Sequence, residues 1–121
     1  MIRILVCGDR KWGSESGDAQ LLWEELNGWL PFEPSIIEGC AHGADQMAED
    51  WARTNDRPLN HFPADWNRHG RAAGPIRNRN MMAAGKPDIV LAFHHDLDNS
   101  KGTKDMIAVA VREGVPYVHF G

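Results

Sequence analysis

A chain of 121 residues is long enough for one hydrophobic core and too short for two domains of ordinary size. Seventeen acidic against thirteen basic side chains leave a formal charge of -4, which argues against a surface that coats a long polyanion. The charge is unevenly spread: residues 66–86 hold four arginines, one lysine and no acid, so that segment carries +5 and the remainder -9. A basic cluster on an acidic body suits a small anionic ligand.

Cys7 and Cys40 are the only cysteines. Without C-x-x-C spacing they make no disulfide framework, and both are expected as buried free thiols in a reducing cytoplasm. The apolar run at 4–7 is too short for a signal peptide, and nothing approaches the ~20 residues of a membrane span. With no repeat, low-complexity tract or linker, residues 1–121 are expected to form a single domain.

In chain order, the first short apolar run is "IRILVC" (2–7). A helical pattern follows over 18–30, with Leu22, Leu26, Trp29 and Leu30 on one face. "SIIE" (35–38) is the second strand. Ala44, Met47, Ala48, Trp51 and Ala52 then recur at the spacing of a core-facing helix. "PLNHF" (58–62) leads to a third helix over 75–84, with Pro75 at its first position, where a missing N–H costs little. "DIVLAF" (88–93) is followed by a helix over 104–113, ended by Gly114 and Pro116. "PYVHF" (116–120) is the last strand.

The β-branched, nearly continuous apolarity of the strand runs suits a sheet covered on both faces. The alternation predicts an α/β fold: a Rossmann-like three-layer sandwich with a five-stranded, mostly parallel sheet. In such sheets ligands bind beyond the carboxyl ends of the strands, near the switch in strand order. The loops at that edge are 8–12, 39–45, 63–78 and 94–105, and the glycine clusters of the chain fall in them.

Gly8 allows a sharp turn after the first strand, although the G-x-G-x-x-G spacing is absent. Arg10 is either a phosphate ligand or a solvated surface charge, whereas Trp12 reads as packing beneath the loop. Gly39 and Gly43 bracket the turn into the second helix, whose first N–H groups can hold an anion. Asp45 either complements that helix dipole or accepts ribose hydroxyls. Gly70 and Gly74 predict a tight loop before Pro75. Arg71, Arg77 and Asn78 then converge with backbone donors on one point, as phosphate or carboxylate recognition requires. Arg68 and Arg79 are expected to face solvent.

Gly102 and Thr103 offer further N–H groups and a hydroxyl. Asp105 is a candidate general base, or equally an acid at a helix start. Adjacent His94 and His95 point to opposite sides if extended. No H-x-x-x-H spacing exists, so no metal and no cofactor are expected.

Taken together, "GCAHGADQMAEDWA", "PADWNRHGRAAGPIRNRNMM", "KPDIVLAF" and "KGTKDM" resemble the YspA-like branch of the SLOG superfamily, the Rossmann-like group that includes the LOG and SMF/DprA proteins. The likeness covers nearly the whole chain. It implies a bacterial or phage protein that binds a nucleotide or nucleotide-derived molecule as sensor, sequestering protein or carrier. The resemblance marks Gly8, Arg10, Gly39, Gly43, Ala44, Asp45, Gly70, Arg71, Gly74, Pro75, Arg77, Asn78, Gly102, Thr103 and Asp105, and Trp66 is placed to pack on a base.

LOG relatives are phosphoribohydrolases that cleave the base from a nucleoside monophosphate, which gives the alternative activity, with Asp105 assisting. Their P-G-G-x-G-T pattern is replaced here by "LDNSKGTKDM", and Asp105 stands where they carry a glutamate. Single-stranded DNA binding, as in SMF/DprA relatives, ranks third because one basic patch makes no groove. Pairing into a homodimer is allowed, and no membrane partner is expected.

Overall fold

The computed structural model describes residues 1–121. Five strands, β1 (Arg3–Gly8), β2 (Ser35–Glu38), β3 (Leu59–His61), β4 (Ile89–Phe93) and β5 (Tyr117–Phe120), form one sheet in the order β3-β2-β1-β4-β5. Every pairing is parallel: Ile4 lies opposite Ile36 on one side and Ile89 on the other, and Val90 lies opposite Tyr117. The helices are α1 (Asp18–Asn27), α2 (Ala44–Thr54), α3 (Trp66–His69), α4 (Ala73–Asn80) and α5 (Gly102–Arg112). The Rossmann-like three-layer arrangement expected from the alternation is therefore present.

Side chains of β1 alternate between two cores. Ile4 and Val6 pack with Leu22, Leu26, Ala48 and Trp51 under α1 and α2. Leu5 and Cys7 pack on the other face with Met81, Met106, Val109 and Ala110, under α4 and α5. The alanines on the inner face of α2 bring it close to the sheet, and Trp51 fills the space beside them. Trp51 is fully buried, and its indole N–H donates to Asn27 Oδ1 at 2.8 Å. Burial of a large apolar side chain contributes roughly 1.5–3 kcal/mol, and the hydrogen bond removes the penalty on its one polar atom.

Two sequence expectations are corrected. The segment after Trp66 is not a glycine loop opening into a helix at Pro75. It is helical almost throughout: α3, a 3-10 turn over Gly70–Ala72, α4, then a π-helical turn over Met81–Gly85. Gly70 alone supplies a positive φ, +55°, at the junction of α3 with the 3-10 turn. Gly74 and Pro75 sit inside the first turn of α4, where the backbone N–H that proline lacks would have had no acceptor within that helix.

The second correction concerns Cys40. Cys7 is buried as expected, but Cys40 is exposed, in a left-handed conformation at φ +62°. The turn after β2 leaves it on the surface. No helix is long and apolar enough to cross a membrane.

Candidate ligand-binding site

The strand order reverses between β1 and β4. A cavity of about 480 Å³ opens beyond their carboxyl ends, the place where α/β sheets bind ligands. Its floor is Cys7 and Gly8 of β1 with Met81 and Met106 from the helices behind. Burial pushes the Cys7 thiol far above its ordinary range, with Asp45 adding to the effect, so it serves as packing. Gly8 is required sterically: a Cβ there would collide with the Phe93 carbonyl and crowd Ala44.

Arg10, Arg71, Arg77 and Lys101 supply four cationic side chains to the wall, and Asp45 is the one acid among the lining residues. Arg77 is fixed from two sides, its Nη1 donating to the Gly39 carbonyl and its Nε to Asn78 Oδ1 at 2.6 and 3.0 Å. A Cβ at Gly39 would displace the guanidinium from this position. Asn78, nearly buried, donates to Asp105 Oδ2 at 2.9 Å and to the Gly102 carbonyl, tying α4 to the start of α5. Ser100 Oγ accepts from the Thr103 N–H at 3.0 Å, which shapes that helix start. Trp66 is half exposed at the rim, with the Arg10 guanidinium 5.7 Å from its ring centroid. The pair presents a planar, cation-flanked surface at the rim.

Asp45 lies in the first turn of α2, 5 % exposed, and its Oδ2 accepts from Gly39 N–H and Ala41 N–H at 3.1 and 3.3 Å. Burial pushes its carboxyl up to about 7; the nearby Glu38 adds to this, while the two N–H donors and Arg77 oppose it. Gly43, at φ +74° and ψ -123°, makes the turn into α2, and a side chain there would run into the Asp9 and Arg10 carbonyls. Ala44 N–H then donates to the Asp9 carbonyl, locking the first and second loops together.

Of the residues expected at the site, Gly8, Arg10, Asp45, Trp66, Arg71, Pro75, Arg77, Asn78, Gly102 and Thr103 line this cavity. Gly39 borders a smaller one of about 310 Å³ that shares Arg10, Ala41, Trp66 and Arg77 with it. Gly43, Ala44, Gly70 and Gly74 line neither; Gly43 and Ala44 make the turn into α2, and Gly74 packs beneath Trp66. Asp105 does not reach the wall, since its carboxylate is held by Asn78. Lys101 and Ser100 were not singled out from sequence, although both flank Gly102, and a lysine before a helix start is the available signal. Arg68 and Arg79 are exposed. Trp12 is buried, donates from its indole to the Asp18 carbonyl and stacks on His95, so it belongs to the core.

Two groups of potential metal ligands come together that the sequence did not reveal. One is Glu38, Cys40 and His61, and the other is Glu15, Asp18 and His95. Within the first, burial and then Glu38 push the Cys40 thiol up to about 11.

A parallel sheet reversing at β1/β4, with a cation-walled cavity above the reversal, defines a Rossmann-like domain. The YspA, cpYpsA-related SLOG family model matches residues 2–69, more than half of the chain, and the protein belongs to that family. A relative, the Gene 61 protein of Mycobacterium phage D29, is 36% identical over 129 residues, covering 100% of this chain and 98% of that protein.

Proposed function

We propose that the 121 residues act as one binding domain for a nucleotide or nucleotide-derived anion, held in the cavity at the β1/β4 switch. The observation that carries this reading is the charge balance of the wall. Four cationic side chains face about 480 Å³ with a single acid between them, in a chain whose overall charge is -4. That balance is unfavourable without an anion and is relieved by one. Arg71, Arg77 and the start of α5 suit phosphate. Thr103 suits a ribose hydroxyl, and Trp66 beside Arg10 suits a base.

Native mass spectrometry followed by calorimetry, over a panel of nucleoside mono-, di-, tri- and cyclic phosphates, tests the reading. At least one panel member should add a single ligand mass. Arg71→Ala, at an exposed residue with no internal hydrogen bond to lose, should weaken its binding about 10–100-fold, the worth of one charge-assisted contact. No binding by any nucleotide would send the search to other anions.

A second reading, cleavage of an N-glycosidic bond as in the LOG enzymes, draws on one observation. Asp45 is the carboxyl that reaches the cavity, and it holds a proton near neutrality, as an acid protonating a departing base must. Free base appearing in the same mixtures, and lost in Asp45→Asn, would support it.

A further inference from the structure

The carboxyl ends of β2 and β3 present a different chemistry from the cavity wall. Glu38 is the last residue of β2 and is fully buried. His61 is the last residue of β3 and stands beside it by the strand register, which pairs Glu38 with His61. Cys40, two residues beyond Glu38, turns back in its left-handed conformation. Its N–H donates to both Glu38 oxygens, at 3.1 and 3.2 Å. The result places Cys40 Sγ 3.4 Å from His61 Nδ1, and His61 Nδ1 3.3 Å from Glu38 Oε1. One donor atom from each of the three residues lies within 4.8 Å of the other two.

We propose that Glu38, Cys40 and His61 form a divalent metal site, with Zn²⁺ the ion its donor set suits. A tetrahedral zinc has bonds of about 2.3 Å to sulfur, 2.0–2.1 Å to imidazole and 2.0–2.2 Å to carboxylate. Those lengths set the edges of the tetrahedron at about 3.6 Å for sulfur to nitrogen and about 3.3 Å for nitrogen to oxygen. The observed 3.4 and 3.3 Å agree with these two edges, and the third pair of donors lies within 4.8 Å. Mixed sulfur, imidazole and carboxylate donors favour zinc over magnesium or calcium, which take oxygen alone.

Charge agrees with geometry. Glu38 and Asp45 are two buried carboxyls, close enough for Glu38 to act on Asp45, and Arg77, the guanidinium whose charge opposes this at Asp45, is committed to the Gly39 carbonyl. A cation at the strand ends would offset that excess. Three protein ligands leave a fourth position for water or a ligand oxygen, the pattern of an open rather than a closed zinc site. Cys40 also borders the smaller cavity that shares Arg10 and Arg77 with the larger one, so the ion would stand on the same edge of the sheet as the proposed anion. Binding replaces the thiol proton by a sulfur–metal bond. That thiol proton leaves to solvent.

Cobalt(II) titration of the full chain, in a non-chelating reductant and without nucleotide, tests the site separately from the anion cavity. One equivalent should bind with a thiolate-to-cobalt charge-transfer band and intense visible bands of tetrahedral type, and zinc should displace it. Cys40→Ser should abolish the charge-transfer band. His61→Ala, at an exposed position, should weaken binding at least ~10-fold, with circular dichroism confirming the fold. Absence of the band in the unaltered protein, its survival in Cys40→Ser, which would place the thiolate at Cys7, or equal affinity in His61→Ala would each overturn the proposal. Because no nucleotide is present in the titration, failure of the metal site and failure of the anion cavity are read separately.

Discussion

Asp18 and Asp45 are the same local device in two settings. Each lies in the first turn of a helix, each is about 5 % exposed or less, and each accepts two backbone N–H groups that would otherwise be unpaired. Asp18 takes those of Gly13 and Glu15, and Asp45 those of Gly39 and Ala41. Their neighbours differ. Asp18 Oδ1 meets His95 Nε2 at 2.8 Å, and that ring, open to solvent on one side, is stacked on the buried Trp12. Asp45 meets another carboxyl, Glu38, and opens onto the cavity. Burial raises Asp18, but its N–H donors and His95 outweigh burial and hold it below the ordinary carboxyl range, whereas burial prevails at Asp45. The backbone clamp alone therefore does not set the charge state: burial decides it at Asp45, with Glu38 adding to the effect, and the N–H donors with His95 decide it at Asp18. A clamp with its counter-charge beside it is finished as structure; one facing a second acid and a space is unfinished until something binds.

The strongest way to break this comparison is Asp45→Asn. An acid whose folded value, about 7, lies above its unfolded value of 3.8 favours folding most below the unfolded value. That contribution is lost as pH rises through about 7. At about 1.4 kcal/mol per unit the whole loss is on the order of 4 kcal/mol, concentrated between about pH 4 and pH 7. The asparagine oxygen still accepts from Gly39 and Ala41. Urea unfolding of the variant should show a flatter pH profile and greater stability than the original at pH 8. Parallel profiles would mean that Asp45 is ionised and Arg77 carries its charge.

Asp18→Ala should act in the opposite direction, and by less. It leaves the Gly13 and Glu15 N–H groups without their acceptor and His95 without its partner, a loss of about 2–3 kcal/mol. Because the Asp18 value is lowered on folding, its contribution is present above the ordinary carboxyl range and fades as pH falls through the lowered value. The gap between variant and original should therefore be full at pH 6 and shrink in acid. A gap that widened in acid would contradict the pairing.

Legibility in the sequence depends on how local each feature is. The strands and α2 were legible, because β-branched runs and the Ala48, Trp51, Ala52 spacing are short-range signals. The basic cluster was also legible as charge; two of its four arginines, Arg71 and Arg77, line the cavity, while Arg68 and Arg79 are exposed. The near-continuous helix from Trp66 to Gly85 was hidden by Gly70, Gly74 and Pro75. These residues read as a loop because their compatibility with a helix depends on which turn they occupy. The grip of Arg77 on the Gly39 carbonyl joins residues 38 positions apart, and no spacing rule reaches that far. Cys40 beside His61 is hidden for the same reason: strand register, not sequence, makes them neighbours.

The smallest expected effect sharpens the comparison most finely. His95 is raised above its ordinary value of 6.5, first by its hydrogen bond to Asp18 and then by the charges of Asp18, Glu15 and Asp9, with partial burial opposing. The contribution of such a group is complete below the unfolded value and is lost as pH rises through the folded one. Its window therefore begins near the pH at which that of Asp45 ends. A fall in stability below about pH 7 belongs to Asp45, and a further shallow fall above it belongs to His95. His95→Gln keeps an amide able to donate to Asp18 and removes the titration. Its melting temperature should sit slightly below the original at pH 6 and converge with it by pH 9, while the steeper fall at lower pH remains. If His95→Gln instead erased that steeper fall, the proton would be held in the Asp18 corner, and the contrast between the two carboxyls would collapse.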